Sequence, residues 1–199
     1  MMDRSKLTER QFEIQARVLE PDTPIDEKWV EGYAARFDSP TVLFEKGGIE
    51  YKEQIARSAF ANAKMDDCFM NYNHQGKVMA RTRNKTLQLF ADEQGLFIRA
   101  RLDGTEEGRK LYEEIRGGYI DKMSFAFSIA EESFDRNEHM WTVQRIKRLY
   151  DVSAVSIPAY NDTSISARMA DAEADARERQ QELDNSLTRM RLELKLKLN

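Results

Sequence analysis

The sequence predicts a mostly β, or α+β, domain followed by a charged helical tail. Three observations carry that prediction. At least seven short stretches read as strands, only two stretches before residue 160 have helical spacing, and the run from Arg168 to Asn199 contains seven acidic and seven basic residues with no glycine, proline or aromatic. Period-two alternation marks half-buried strands, spacings of three and four mark an amphipathic helix, and a long breaker-free charged run is a solvated helix. A chain of 199 residues holds one domain with a sizeable core plus an appendage. The boundaries drawn are 1–167 for the domain and 168–199 for the tail.

Taken in order, QFEIQARVL (11–19) and KWVEGYAARFD (28–38) alternate as strands on either side of the proline-bearing PDTP. EYKEQIARSAFANAKM (50–65) places Ile55, Ala59, Phe60 and Ala63 at helical spacing, which predicts a short amphipathic helix, and CFMNYN (68–73) is extended. TLQLFADEQGLFIRARL (86–102) is a hairpin around DEQG, where Gly95 is expected to supply a positive φ. DGTEEGRKLYEEIR (103–116) reads as a helix capped by Asp103, buried through Leu111 and Ile115 and stopped by Gly117 and Gly118. MSFAFSIA (123–130), MWTVQRIKR (140–148) and LYDVSAVSIP (149–158) are the last strands, with a bend or bulge expected near Arg148.

In the tail, acidic residues crowd the beginning and basic ones the end, matching the helix dipole. Leu183, Leu187, Met190, Leu194 and Leu198 recur at coiled-coil-like intervals, a stripe that calls for a partner. The final LELKLKL also alternates with period two and so fits a strand.

Composition removes several function classes. A net charge of −4 gives no general reason to bind a phosphate backbone, so nucleic acid is not an expected partner. A single cysteine, Cys68, excludes an intrachain disulfide, and no Cys/His cluster has zinc spacing, so neither metal nor cofactor is called for and a reducing cytoplasm is the natural compartment. The first residues carry no apolar signal region and no run of eighteen apolar residues occurs, so neither export nor membrane insertion is expected.

The residues able to carry chemistry are few. The histidines are His74 and His139, and His74 is the better placed, between a strand and the Gln75-Gly76 turn. A lone histidine there is most often structural. Ser124 follows the Gly-Gly swing and lies in a strand whose Phe125 and Phe127 point to the opposite face, so the aromatics anchor one side and the hydroxyl is presented on the other. A serine nucleophile needs a general base in hydrogen-bond reach, and the base needs a third group to hold its tautomer. Asp151, an acid in a strand otherwise rich in Val, Ile and Ala, qualifies as that group, though it also fits pairing with Lys147 or Arg148.

These pieces, in order GYAARFDS (32–39), EQIARSAF (53–60), NYNHQ (71–75), GLFIRARL (95–102), TEEGRKLYEEIRGGYIDKMSFAF (105–127) and LYDVSAVSIPAYNDTSI (149–165), resemble the HK97-type phage prohead proteases. Those are serine peptidases of capsid maturation, similar in fold to herpesvirus assemblins. The resemblance implies a herpesvirus-protease-like β-barrel flanked by short helices, with His74, Ser124 and Asp151 as the catalytic residues. It implies as substrates the scaffolding segment of the major capsid protein or a separate scaffold protein, often the protease itself, cleaved inside the assembling procapsid in the host cytoplasm. The tail is then either a docking coil open to self-cleavage or simply a solvated helix, and a homo-oligomer is open. Two departures stand out: Gln75 replaces an aspartate common after the histidine, and Asp151 is one methylene shorter than the glutamate often found. The second histidine of the assemblin triad keeps His139 as an alternative third member. A catalytically idle assembly protein is the competing reading, and an esterase lacks its G-x-S-x-G elbow here.

Overall fold

The computed structural model of the chain describes residues 8–13, 17–18, 27–156, 174 and 176–190. By its contacts the chain divides into two compact units, Met1–Tyr160 and Asn161–Asn199. In the first unit the strands among the described residues are β1 (Thr8–Glu13), β2 (Arg17–Val18), β3 (Trp29–Arg36), β4 (Thr41–Lys46), β5 (Ile49–Ile55), β6 (Phe69–Tyr72), β7 (Gln75–Arg81), β8 (Leu87–Ala91), β9 (Gly95–Arg101), β10 (Lys122–Asp135) and β11 (Met140–Val155), with an α-helix, α1 (Glu106–Arg116), between β9 and β10 and a 3-10 turn at Thr82–Asn84.

The mostly β expectation holds, and the barrel does not. The strands form two open sheets: seven strands in the order β1-β10-β11-β5-β4, with β6 and β7 joining through β11, and four in the order β2-β3-β9-β8. A barrel needs one hydrogen-bonded ladder that returns on itself. Among the described residues no ladder joins a strand of one sheet to a strand of the other. A single core of buried residues draws Val30, Leu96 and Ile98 from the smaller sheet, Phe125, Phe127 and Val152 from the larger, and Leu111 and Ile115 from α1.

β11 organises the site. At sixteen residues it is one strand where the sequence suggested two. It pairs antiparallel with β10 along its length, and its other edge is shared: β5 runs parallel to Met140–Val143 at one end, and β6 parallel to Asp151 and Ala154 at the other. Bulges fall between the Ala126/Phe127 and Ser128/Ile129 registers, opposite Tyr150 and Lys147, so the irregularity expected near Arg148 is present without ending the strand.

Three local expectations are corrected. Residues 50–65 are not a helix: β5 runs to Ile55, and successive turns follow, with Ala59, Ala61 and Ala63 amides donating to Ala56, Ser58 and Phe60 carbonyls. Ile55, Ala59 and Phe60 are buried as the spacing required. Turns with i to i+3 bonds place the same residues on one side, so periodicity does not separate them from a helix. The cap of α1 is Thr105, whose hydroxyl accepts from the Gly108 amide at 2.9 Å, not Asp103. Gly95 does not have a positive φ. A Cβ there would lie 2.0 Å from the Ala35 carbonyl oxygen, so glycine is required by the close approach of β3.

In the second unit the chain is helical over 176–190, with Leu183, Leu187 and Met190 exposed. Leu194, Leu198 and the alternating LELKLKL lie outside the described residues. Among the described residues no helix is long and apolar enough to cross a membrane.

Candidate active site

Period-two geometry explains the placement of Ser124. In β10 it is the cross-strand partner of Ser153, and Ala126 is the partner of Asp151, so these four residues share one face. Phe125 and Phe127 point the other way, fully buried, with stacked rings 4.8 Å apart. The serine is held on a rigid, anchored strand.

His74 comes from a tight turn. Tyr72 pairs with Gln75, which leaves Asn73 and His74 as the whole loop between β6 and β7, at φ 50° and 57°. Two successive positive φ values are the type I′ hairpin turn, and Asn and His are among the side chains that tolerate this region. The turn is tied to the end of β11: the Asn73 amide donates to the Ala154 carbonyl at 2.9 Å, and Asn73 Oδ1 accepts from the Ser156 amide at 3.2 Å. Since β6 lies beside the Asp151 end of β11, this turn overhangs the face that carries Asp151 and Ser124.

The three side chains meet. His74 Nδ1 is 2.6 Å from Asp151 Oδ1, and His74 Nε2 is 2.6 Å from Ser124 Oγ. Separations of 77 and 50 residues along the chain are closed by strand pairing alone. The direction of each bond follows from the donor inventory. A carboxylate only accepts, so Nδ1 carries the hydrogen and donates to Asp151, and neutral Nε2 offers its lone pair to the Ser124 hydroxyl. The side chains of His74 and Asp151 are each 8% exposed, and Ser124 is fully buried. A carboxylate this dry is costly unless bonded, and the imidazole N–H is one of its donors. Asp151 reaches the ring directly, so the missing methylene is made up by the adjacency of β6 and β11.

His139 is not brought to this site. It lies in the turn joining β10 to β11, with its ring 5.1 Å from that of Tyr51 and its carbonyl accepting from the Lys52 amide. That is the end of the hairpin opposite Ser124. Gln75 opens β7 and is exposed.

Sequence reasoning missed the polar residues behind Asp151. Ser153 Oγ lies 2.7 Å from Asp151 Oδ1 and also contacts Asn71 Oδ1, and both residues are buried. The signal was present: Asp151 and Ser153 alternate within the stretch Tyr150–Val155, where the residues between and after them, Val152, Ala154 and Val155, are apolar and buried, which marks a buried polar row. Cys68 also sits against this carboxylate. Burial, and then the Asp151 charge, pushes its thiol well up from the usual range. The expected result is that iodoacetamide at neutral pH leaves Cys68 unmodified in the folded protein, as read by intact mass, and modifies it in denaturant. Ready alkylation of the folded chain would contradict this burial.

Among the described residues no group of three or more His, Cys, Asp or Glu side chains is placed to hold a metal ion. A hydroxyl, an imidazole and a carboxylate bonded in this order are the arrangement serine hydrolases use for acyl transfer. The class is that of a serine peptidase on a mostly β scaffold. The chain belongs to the caudovirus prohead serine protease family, whose model matches residues 13–178. By that membership it is a serine protease of capsid maturation. Its fold is similar to the solved structure of the bacteriophage T4 capsid assembly protease gp21, with a TM-score of 0.51 and 16% identity over 77% of this chain and 98% of that one. No curated protein matches the sequence.

Proposed function

We propose that this protein is a prohead endopeptidase in which Ser124 attacks the scissile peptide carbonyl, His74 takes its proton and Asp151 orients His74. The observation that carries the reading is the direct bonding of Asp151 to His74 to Ser124 at 2.6 Å each. Attack forms the Ser124 Oγ–C bond and a tetrahedral oxyanion. His74 then returns the proton to the leaving amine as the C–N bond breaks, and water, deprotonated by the same imidazole, releases the acyl group. The nearby Asp151 carboxylate stabilises the imidazolium formed in each half-reaction.

The substrates are the scaffolding segment of the major capsid protein or a separate scaffold protein, and the protease's own chain, cut inside the assembling procapsid in the host cytoplasm. Residues 1–167 act as the protease domain. Residues 168–199 act as a docking coil, a role supported by the exposed Leu183, Leu187 and Met190 on the helix over 176–190.

Co-expression with the phage's capsid protein tests this. Intact masses of both proteins are compared between wild type and Ser124→Ala. Trimming of the capsid protein or of the tail by wild type alone is the expected result. Unchanged masses in both variants, with particles still assembling, would replace the protease reading by that of an idle assembly protein.

A further inference from the structure

The contacts behind Asp151 contain a conflict of donors whose resolution assigns two further residues to the site. Ser153 Oγ stands 2.7 Å from Asp151 Oδ1, the oxygen that also receives His74 Nδ1–H, and 2.5 Å from Asn71 Oδ1. A hydroxyl has one hydrogen, and the carboxylate has none to give, so Ser153 cannot donate to both neighbours. Ser153 is fully buried and Asn71 is 4% exposed, so an oxygen facing an oxygen without a hydrogen between them would be expensive. An asparagine amide has nearly the same outline when turned over. Turned, its Nδ2–H faces Ser153 Oγ, and both contacts of that hydroxyl become a donor meeting an acceptor.

We propose that Asn71 and Ser153 form a one-directional hydrogen-bond chain, Asn71 Nδ2–H to Ser153 Oγ and Ser153 Oγ–H to Asp151 Oδ1, which positions the carboxylate beneath His74. Both are positioning residues, and the proposal rests on the reading of Ser124, His74 and Asp151 given above. The β pairing supports it, since Ser153 is the cross-strand partner of Ser124 and one residue pair away from Asp151 along the same face. With two donors on Oδ1, the carboxylate is fixed about its terminal torsion and part of its charge is taken up by Ser153. Without Ser153 the full charge falls on the imidazole, which holds its proton to higher pH and swings more freely. The titratable groups against this network are His74, Asp151 and Cys68, with Asp67 acting on Cys68 from the segment before β6.

Asparagine and aspartate at 71 separate the two hydrogen-bond directions. Asn71→Asp turns a donor into an acceptor, draws the Ser153 hydrogen away from Asp151 and adds a second buried charge. Asn71→Ala leaves Ser153 free to donate to Asp151. The expected result, measured on the full chain with a cleavable peptide, is a kcat about 10- to 100-fold lower for Ser153→Ala and Asn71→Asp with KM little changed. In both, the acid limb of the kcat/KM profile moves to higher pH, while Asn71→Ala, which loses the orienting donor but keeps the Ser153 hydrogen on Asp151, lowers kcat by less than either and leaves the limb in place. Asn71→Asp better tolerated than Asn71→Ala, or an unmoved acid limb in Ser153→Ala, would overturn the proposal.

Neutron diffraction from the unmutated protein decides the same point without any variant having to fold. A deuteron on Ser153 Oγ directed at Asp151 supports the chain, and one directed at Asn71 removes it. That readout does not depend on turnover. Failure of the catalytic reading itself shows instead as activity surviving Ser124→Ala.

Discussion

Ser124→Ala and His74→Ala are each expected to lower kcat on a cleavable peptide by roughly 10⁵–10⁶-fold, and the double variant by no more than either alone. The reason is the linkage of the three side chains. In the proposed mechanism Ser124 is a weak nucleophile unless its hydrogen can pass to His74 Nε2, 2.6 Å away, so removing either end of that bond removes the same step. Asp151→Asn is a gentler and more informative change, costing about 10⁴-fold. Its amide can donate to Nδ1, which forces the imidazole hydrogen onto Nε2, the nitrogen that has to accept from Ser124. KM should change little throughout, since none of the three extends the area that holds the peptide. Losses that multiply in the double variant would mean that Ser124 and His74 act independently, which the bonded arrangement does not allow.

The second large effect is on stability. Phe125 is fully buried, stacks on Phe127 at 4.8 Å and lies 6.2 Å from the ring of Phe60. Phe125→Ala removes about 3–5 kcal/mol through lost transfer energy and the cavity left in a core that cannot fully collapse. For a chain of this size that lowers Tm by roughly 6–20 °C. Phe90, an aromatic of the same kind that is 49% exposed on β8, supplies the control, and Phe90→Ala should stay within about 0.5 kcal/mol. Thermal unfolding of the two variants side by side checks both numbers. Because Ser124 is the next residue along β10, Phe125→Ala should also lower kcat at temperatures where the variant remains folded. Equal stability of the two variants would mean that Phe125 does not anchor the strand.

The sequence read most clearly where the governing physics is local. Alternation placed Phe125 and Phe127 on one face of β10 and Ser124 on the other, because successive side chains of a strand point oppositely whatever the strand pairs with. Leu111 and Ile115 identified the buried face of α1 for the equivalent helical reason. Burial at Ile55, Ala59 and Phe60 was legible too, while the backbone there was not, since a string of turns repeats the spacing of a helix. Gly95 was singled out for a turn, yet its need for glycine comes from the Ala35 carbonyl of another strand. Nothing within the hairpin records that neighbour.

Sequence alone thus determined the types of chemistry present and the face each group would take: one hydroxyl opposite two anchoring aromatics, one histidine at a turn, one acid in an apolar strand. Only the tertiary structure decided that they meet. His74 reaches Asp151 because β6 pairs in parallel with the far half of β11, and Ser124 reaches His74 because β10 pairs with the other edge of that strand. The same pairing set Ser153 and Asn71 behind the carboxylate and left His139 at the opposite end of the hairpin. Side-chain alternation is a property of each strand by itself, whereas the choice of partner and register is made by burial of the whole sheet face, which no short stretch of sequence contains.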